Sequence, residues 1–192
     1  MNETLQLLLE RASNPRLQFP APDRKQLDLM FRAALRAPDH GQIQPWRFLV
    51  IEGQGLEALG ELYANALLAD NPAASAEQLK RSRNMPLRAP MIVVLIACIH
   101  EHPKVPEFEQ IISAGCAGHA ILLAAQAMGL GAFWRSGDFC QNLVVAHGLG
   151  LQEHEKLIGF MYLGTPAQPA KPSVGLEPKD FVKSWPAAEG SQ

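Results

Sequence analysis

Between Ile111 and Met128 the chain reads I-I-S-A-G-C-A-G-H-A-I-L-L-A-A-Q-A-M, without a single Lys, Arg, Asp or Glu. A helix laid over this run, from Glu107 to Leu130, is apolar nearly all round. Ala114, Gly115, Ala117, Gly118 and Ala120 let neighbours approach its axis closely. Such a helix is expected to be buried on every side, so the fold must be arranged around it. In a chain of 192 residues, part of that cover is expected from a second subunit.

The cover on one side is legible too. Met91 to Ile99 is a continuous apolar run rich in Val and Ile, which predicts a central strand buried on both faces. Trp46 to Glu52, Gly131 to Arg135 and Leu157 to Leu163 read as further strands. Helical spacing predicts a helix over Glu3 to Arg11, with Leu5, Leu8 and Leu9 on one face. A second helix starts at an Asp23 N-cap, carries Leu27, Met30, Phe31, Ala34 and Leu35, and stops before Pro38. Others are expected from Leu56 to about Leu68, from a Ser75 cap to Asn84, and from Leu143 to His147. Helices and strands are mixed without regular β-α-β alternation, so an α+β domain is expected. The whole chain, 1–192, reads as one domain. From Gly164 the prolines of T-P-A-Q-P-A-K-P-S-V-G-L-E-P replace any periodic core face. An extended, proline-rich tail is expected from about residue 165, loose or running over a partner.

Composition narrows the function classes. Lys and Arg total 17 against 19 Asp and Glu, a net charge of -2, and no block of like charge stands out. Nucleic-acid and membrane-surface roles are therefore not expected. The N-terminus carries acids where a secretory signal needs a basic start, and the Met91 to Ile99 run is too short for a bilayer. Cys98, Cys116 and Cys140 form no C-x-x-C pair, which suits free thiols in a reducing, cytoplasmic setting.

Several motifs fail. Gly129-Leu130-Gly131 follows a helix, and the third glycine position of a dinucleotide fingerprint is Trp134. No P-loop is present. His100 and His102 are placed to share a metal, but no closing ligands are recognisable, so no metal is expected. His119 in its apolar helix reads as a satisfied core histidine. Ser136 lies in R-S-G-D, outside any nucleophile elbow. Cys116, one turn from His119, lacks the access a nucleophile needs. No acid, base or nucleophile is evident, and a flavin enzyme has this character, because the isoalloxazine ring carries the redox chemistry. The protein then supplies cations and hydroxyls for a phosphate and donors for the ring edge. Arg11, Ser13, Arg16, Arg36, His40, Arg135 and Ser136 are residues of that kind, although arginines at helix ends are also ordinary dipole partners.

These clusters together resemble the nitroreductase family of FMN enzymes. The resemblance rests on R-x-S (Arg11, Ser13), Q-P-W leading into a strand (Gln44 to Trp46) and a glycine-bearing turn after a long apolar helix (Gly129, Gly131). R-A-P-D-H (Arg36 to His40), K-V-P (Lys104 to Pro106), S-A-G-C-A (Ser113 to Ala117) and W-R-S-G (Trp134 to Gly137) are similar to the minimal, YdjA-type branch. The resemblance implies a nitroreductase-like fold, with a central, mostly antiparallel sheet flanked by helices. It also implies a homodimer with FMN at the subunit interface and NADH or NADPH as electron donor. By matching position, Arg11, Ala12 and Ser13 would hold the FMN phosphate and ribityl chain. Trp134, Arg135 and Ser136 would line the same cofactor. Arg36 and His40 would contact it, His40 from the other subunit. Ala124, Ala125, Gln126, Ala127, Met128 and Gly129 would lie near the nicotinamide nucleotide. The family usually has a second arginine where this chain has Ala12. The implied reaction is ping-pong transfer of hydride from NAD(P)H through the flavin to a nitroaromatic or quinone-like acceptor. A flavin oxidoreductase with another physiological substrate, a non-catalytic flavin binder and a purely structural domain are the competing readings.

Overall fold

The computed structural model describes residues 2–171 and 175–186. In chain order its elements are α1 (Glu3–Glu10), β1 (Leu17–Gln18), α2 (Arg24–Ala34), β2 (Trp46–Glu52), α3 (Gln54–Asp70) and α4 (Ala76–Arg83). There follow β3 (Met91–Cys98), α5 (Glu107–Ala127), β4 (Gly131–Arg135), α6 (Asp138–Gln141), α7 (Leu143–Gly148) and β5 (Glu155–Pro166).

The apolar run of β3 is central, as its composition requires. It pairs antiparallel with β2 on one side and β5 on the other, so that Val94 lies opposite both Leu49 and Phe160. The path through the sheet is β1-β5-β3-β2, and β4 also pairs antiparallel with β5. Alternate residues of β3 feed two cores. Ile92, Val94 and Ile96 pack with Leu56, Leu59 and Tyr63 of α3. Met91, Val93 and Leu95 pack with Met30 and Ala34 of α2 and with Ala117, Ile121 and Ala125 of α5. A strand with apolar cover on both faces shows no alternation, whichever way its neighbours run. The fold is α+β, with an antiparallel sheet between helical layers.

Local chemistry sets the helix boundaries. Asp23 and Ser75 each form a capping box, with Gln26 and Gln78 as the reciprocal partners. Gly53 (φ 54°) turns β2 straight into α3, so that helix begins at Gln54, before the expected Leu56. α5 stops at Ala127, short of the expected Leu130, because Gly129 takes a left-handed φ of 73°. No local pattern among the prolines signals β1. It exists only because Leu17 and Gln18 meet Pro166 and Thr165 at the end of β5. β5 therefore runs past Gly164, where the sequence pattern ends. Residues 172–174 of the proline-rich tail lie outside the described residues.

Within one chain the burial of α5 is one-sided. Ala114, Ala117, Gly118, Ile121 and Ala125 are buried, and a Cβ on Gly118 would stand 2.7 Å from the Trp134 ring and 2.8 Å from Leu95. The other side of the helix is open, with Phe108 61% and Ile112 58% exposed. His119 lies on this exposed side and is not a core histidine. The reason is geometric: one sheet face covers only one side of a helix. Leu5, Leu8 and Leu9 of α1 are exposed as well, and α1 packs beside α5.

Candidate functional site

The loop Arg11 to Ser13 leaves α1 beside the C-terminal end of α5. The Ala12 N–H donates to Gln126 Oε1 at 3.2 Å. Asn14, 4% exposed, ties the loop down. Its N–H donates to the Ala132 carbonyl at 2.9 Å, and its amide nitrogen to the Gln168 carbonyl at 2.7 Å. Its amide oxygen accepts from the Arg16 N–H at 3.0 Å, and the Arg16 guanidinium donates to Gln168 Oε1 at 2.7 Å. Arg11 and Ser13 therefore sit on a backbone fixed from two directions. A small cavity of about 250 Å3 opens among Ala12, Asn14, Gln126, Gly131 and Pro166.

β4 runs from this loop to the second cluster. Pleating sends Trp134 one way and Phe133 and Arg135 the other. The Trp134 indole is a packing group. It lies against Gly118 of α5 and Gly159 of β5, where an added Cβ would come within 2.0 Å of Nε1, and it donates to the Ile158 carbonyl at 3.3 Å. The Arg135 guanidinium stacks over Phe133 at 5.1 Å and Tyr162 at 5.7 Å. Ser136 and Gly137 (φ 142°) follow as the chain leaves the sheet for α6. Among the described residues no carboxylate forms an ion pair with Arg11, Arg36 or Arg135.

Arg36 and His40 are elsewhere. After α2 the chain makes a tight turn at His40–Gln42, with Gly41 at φ 77° against Val105. The Asp39 carboxylate accepts the Gln44 N–H at 2.7 Å, bracing the approach to Trp46. His40 Nδ1 lies 2.7 Å from Glu109 Oε2, in the first turn of α5. Buried Gln110 donates to the carbonyls of His100 and Val105 at 2.8 and 3.1 Å, which fixes the K-V-P loop behind this turn. From Glu109 to Gln126 is roughly 26 Å at about 1.5 Å per residue along α5. Within one subunit, then, Arg11 to Ser13 lie at the C-terminal end of α5, β4 runs from there back to Gly118 near the middle of the helix, and His40, four residues after Arg36, lies at the N-terminal end.

Of the stretch matched to the nicotinamide nucleotide, Ala124, Gln126, Ala127, Met128 and Gly129 keep some surface, whereas Ala125 is fully buried. Asn14, Gln126, Asp39 and Glu109 were not singled out as holding these loops. For Asn14, Gln126 and Glu109 the signal is a hydrogen bond between distant segments, which no local pattern encodes, whereas Asp39 braces a residue five positions on. His100 faces His154 with ring centres 6.4 Å apart, while His102 Nδ1 accepts the Lys104 N–H.

The model of the Nitroreductase family matches residues 9–165. The chain belongs to that family. It is 42% identical over 181 residues to YdjA of Escherichia coli (strain K12), a protein named as a candidate NAD(P)H nitroreductase, covering 94% of this chain and 98% of that one. A Haemophilus influenzae protein named in the same way is 37% identical over 182 residues, with the same coverage. Among solved structures, a nitroreductase-like family protein from Bacillus cereus superposes with a TM-score of 0.82 at 19% identity, covering 96% of each chain. A nitroreductase with bound FMN from Desulfitobacterium hafniense superposes at 0.69 with 22% identity, covering 96% of this chain and 98% of that one. At these identities the superpositions establish the nitroreductase fold.

Proposed function

We propose that the protein is an FMN-dependent NAD(P)H oxidoreductase that works as a homodimer. The observation that carries this reading is the spacing along β4. Arg11 and Ser13 stand beside its first residue and Ser136 just past its last, roughly 17 Å apart at about 3.4 Å per residue. That separation suits a phosphate at one end and a flat ring at the other. The donor set fits as well: two arginines that form no ion pair among the described residues and two serine hydroxyls, on a backbone held by Gln126 and Asn14. Arg11 and Ser13 would bind the phosphate end, and Arg135 and Ser136 the ring end. Ala124 to Gly129, next to this edge, would neighbour the nicotinamide nucleotide.

FMN, when bound, supplies the two-electron chemistry, taking hydride from NADH or NADPH and passing it to a nitroaromatic or quinone-like acceptor in a second half-reaction. The chain's own contribution is to hold and orient. Donors fixed before binding stabilise the negative charge of a reduced ring without reorganising. No side chain need relay a proton where water has access.

The same geometry supports a second subunit. Glu109, which holds His40, lies roughly 26 Å along α5 from Gln126, which holds the Arg11 to Ser13 loop, within one chain. Two-fold pairing through the open side of α5, about an axis perpendicular to the helix, would run the two helices antiparallel and set the C-terminal end of one beside the N-terminal end of the other. The partner's Arg36 and His40 then complete the site, and Phe108 and Ile112 are covered.

Visible spectroscopy tests the proposal. The purified protein should be yellow, and anaerobic NADH or NADPH should bleach it, which a passive flavin binder would not show. Arg11→Ala should hold FMN about tenfold or more less tightly, the loss expected for one charge-assisted contact. A colourless protein that fails to take up added FMN would overturn the reading.

A further inference from the structure

A cavity of about 490 Å3 lies on the face of the sheet opposite α5, a volume typical of small-molecule sites. Its walls are aromatic. Tyr63 of α3 is stacked on Phe139 with ring centres 4.1 Å apart and planes 8° from parallel. Phe160 meets Tyr63 edge-on at 5.4 Å, and Tyr162 of β5 lies alongside.

Tyr63 and Tyr162 are only 1% and 3% exposed. Among the described residues neither hydroxyl has a hydrogen-bond partner, yet no fully enclosed side-chain nitrogen or oxygen is left unpaired. Both hydroxyls therefore touch open space, and the open space that both residues line is the cavity. Two deeply seated phenols that open on one aromatic-walled cavity present a pair of donors to whatever occupies it. Burial also pushes both phenols above their ordinary pKa, so they remain neutral donors. The Arg135 guanidinium over Tyr162 forms the wall that the cavity shares with the site along β4. The carboxylates at the cavity are Asp70, which already takes a hydrogen bond from Asn142 at 2.8 Å, and Asp138. These two carboxylates outnumber the one arginine and disfavour an anion.

We propose that this cavity binds a flat, uncharged aromatic molecule whose carbonyl oxygen accepts hydrogen bonds from Tyr63 and Tyr162. The site is additional to the one formed along β4. It touches that site only through Arg135, Ser136 and Gly137, and its binding chemistry does not require the flavin.

Calorimetry on the purified protein, with coumarin as the flat lactone and naphthalene as the oxygen-free ring system of similar size, tests this. Coumarin should bind the wild type. Tyr63→Phe and Tyr162→Phe keep the rings and remove only the hydroxyls. Each should weaken coumarin about fivefold, leave naphthalene unchanged and leave FMN content unchanged. Variants that bind coumarin like the wild type overturn the proposal, as does a wild type that binds neither compound. Loss of FMN together with coumarin also overturns it, because the flavin ring would then be the occupant. A protein without FMN that still shows the expected coumarin pattern supports the cavity site and overturns the function proposed above. Should either variant fail to fold, a crystal of the wild type soaked in coumarin decides the matter: the lactone oxygen within hydrogen-bond reach of both hydroxyls supports the site, and coumarin bound elsewhere overturns it.

Discussion

The side-chain oxygen of Gln126, in the last turn of α5, accepts the backbone N–H of Ala12 at 3.2 Å, across an interval of 114 positions in the sequence. The long helix and the loop proposed to bind phosphate are thereby one unit. Arg11 and Ser13 on either side of Ala12 inherit their positions from α5.

Gln126→Leu removes the acceptor and keeps much of the volume. FMN affinity should fall about fivefold to tenfold, the effect of one neutral hydrogen bond on a fixed loop. Riboflavin, which lacks the phosphate, should bind as before. Fluorescence titration of both ligands checks this, and equal losses for both would assign Gln126 a general structural role.

The open side of α5 gives a second expectation. Ile112→Arg places a charge on the open side of α5, where a partner helix would have to bury it unpaired. Light scattering should report a monomer, and FMN should be lost with the partner. A variant that is monomeric but holds FMN as tightly as the wild type would remove the interface from the site.

Close packing around Trp134 predicts an effect with no functional residue involved. Gly118→Ala sets a methyl 2.7 Å from the indole and 2.8 Å from Leu95, inside any normal contact. Overpacking of this kind costs about 1–3 kcal/mol. Thermal or urea unfolding should show a loss in that range.

Arg47 and Glu155 tie β2 to β5 across β3. The guanidinium donates to both carboxylate oxygens, at 2.5 and 2.6 Å, and the Glu155 side chain is 5% exposed. The hydrogen bonds from Arg47 hold the Glu155 carboxyl at about 2, well below its ordinary value of 4.5, and the same contact raises Arg47. A carboxylate with a depressed folded pKa stabilises the fold fully above its unfolded value and progressively less as pH falls towards its folded one. Stability should therefore decline between about pH 4.5 and pH 2. Arg47→Met should cost about 2 kcal/mol at neutral pH and flatten that acid limb, as read from urea midpoints across the pH range.

Much of the fold was legible because it rests on local chemistry. The Asp23 and Ser75 caps, the breaker at Gly53, and the strands Trp46–Glu52 and Gly131–Arg135 follow from residues adjacent in the chain. β3 was recognisable as central because a strand covered on both faces must be apolar throughout. The nitroreductase motifs lay in the sequence in order, and the family match confirms what they imply about the fold.

The tertiary structure decided which of these residues are neighbours. The sequence alone made α5 apolar all round, but only the packed chain shows which side meets the sheet and which stays open, because a single sheet face covers a single side of a helix. Periodicity separates Trp134 from Arg135 by one position. Pleating sends the first between Gly118 and Gly159 and the second over Tyr162. Asn14 and Gln126 carry no motif, and their part in holding Arg11 to Ser13 arises from hydrogen bonds between segments that local rules treat independently. Local propensity and hydrophobic spacing determined the elements. The long-range contacts, which depend on every element being in place at once, determined the site.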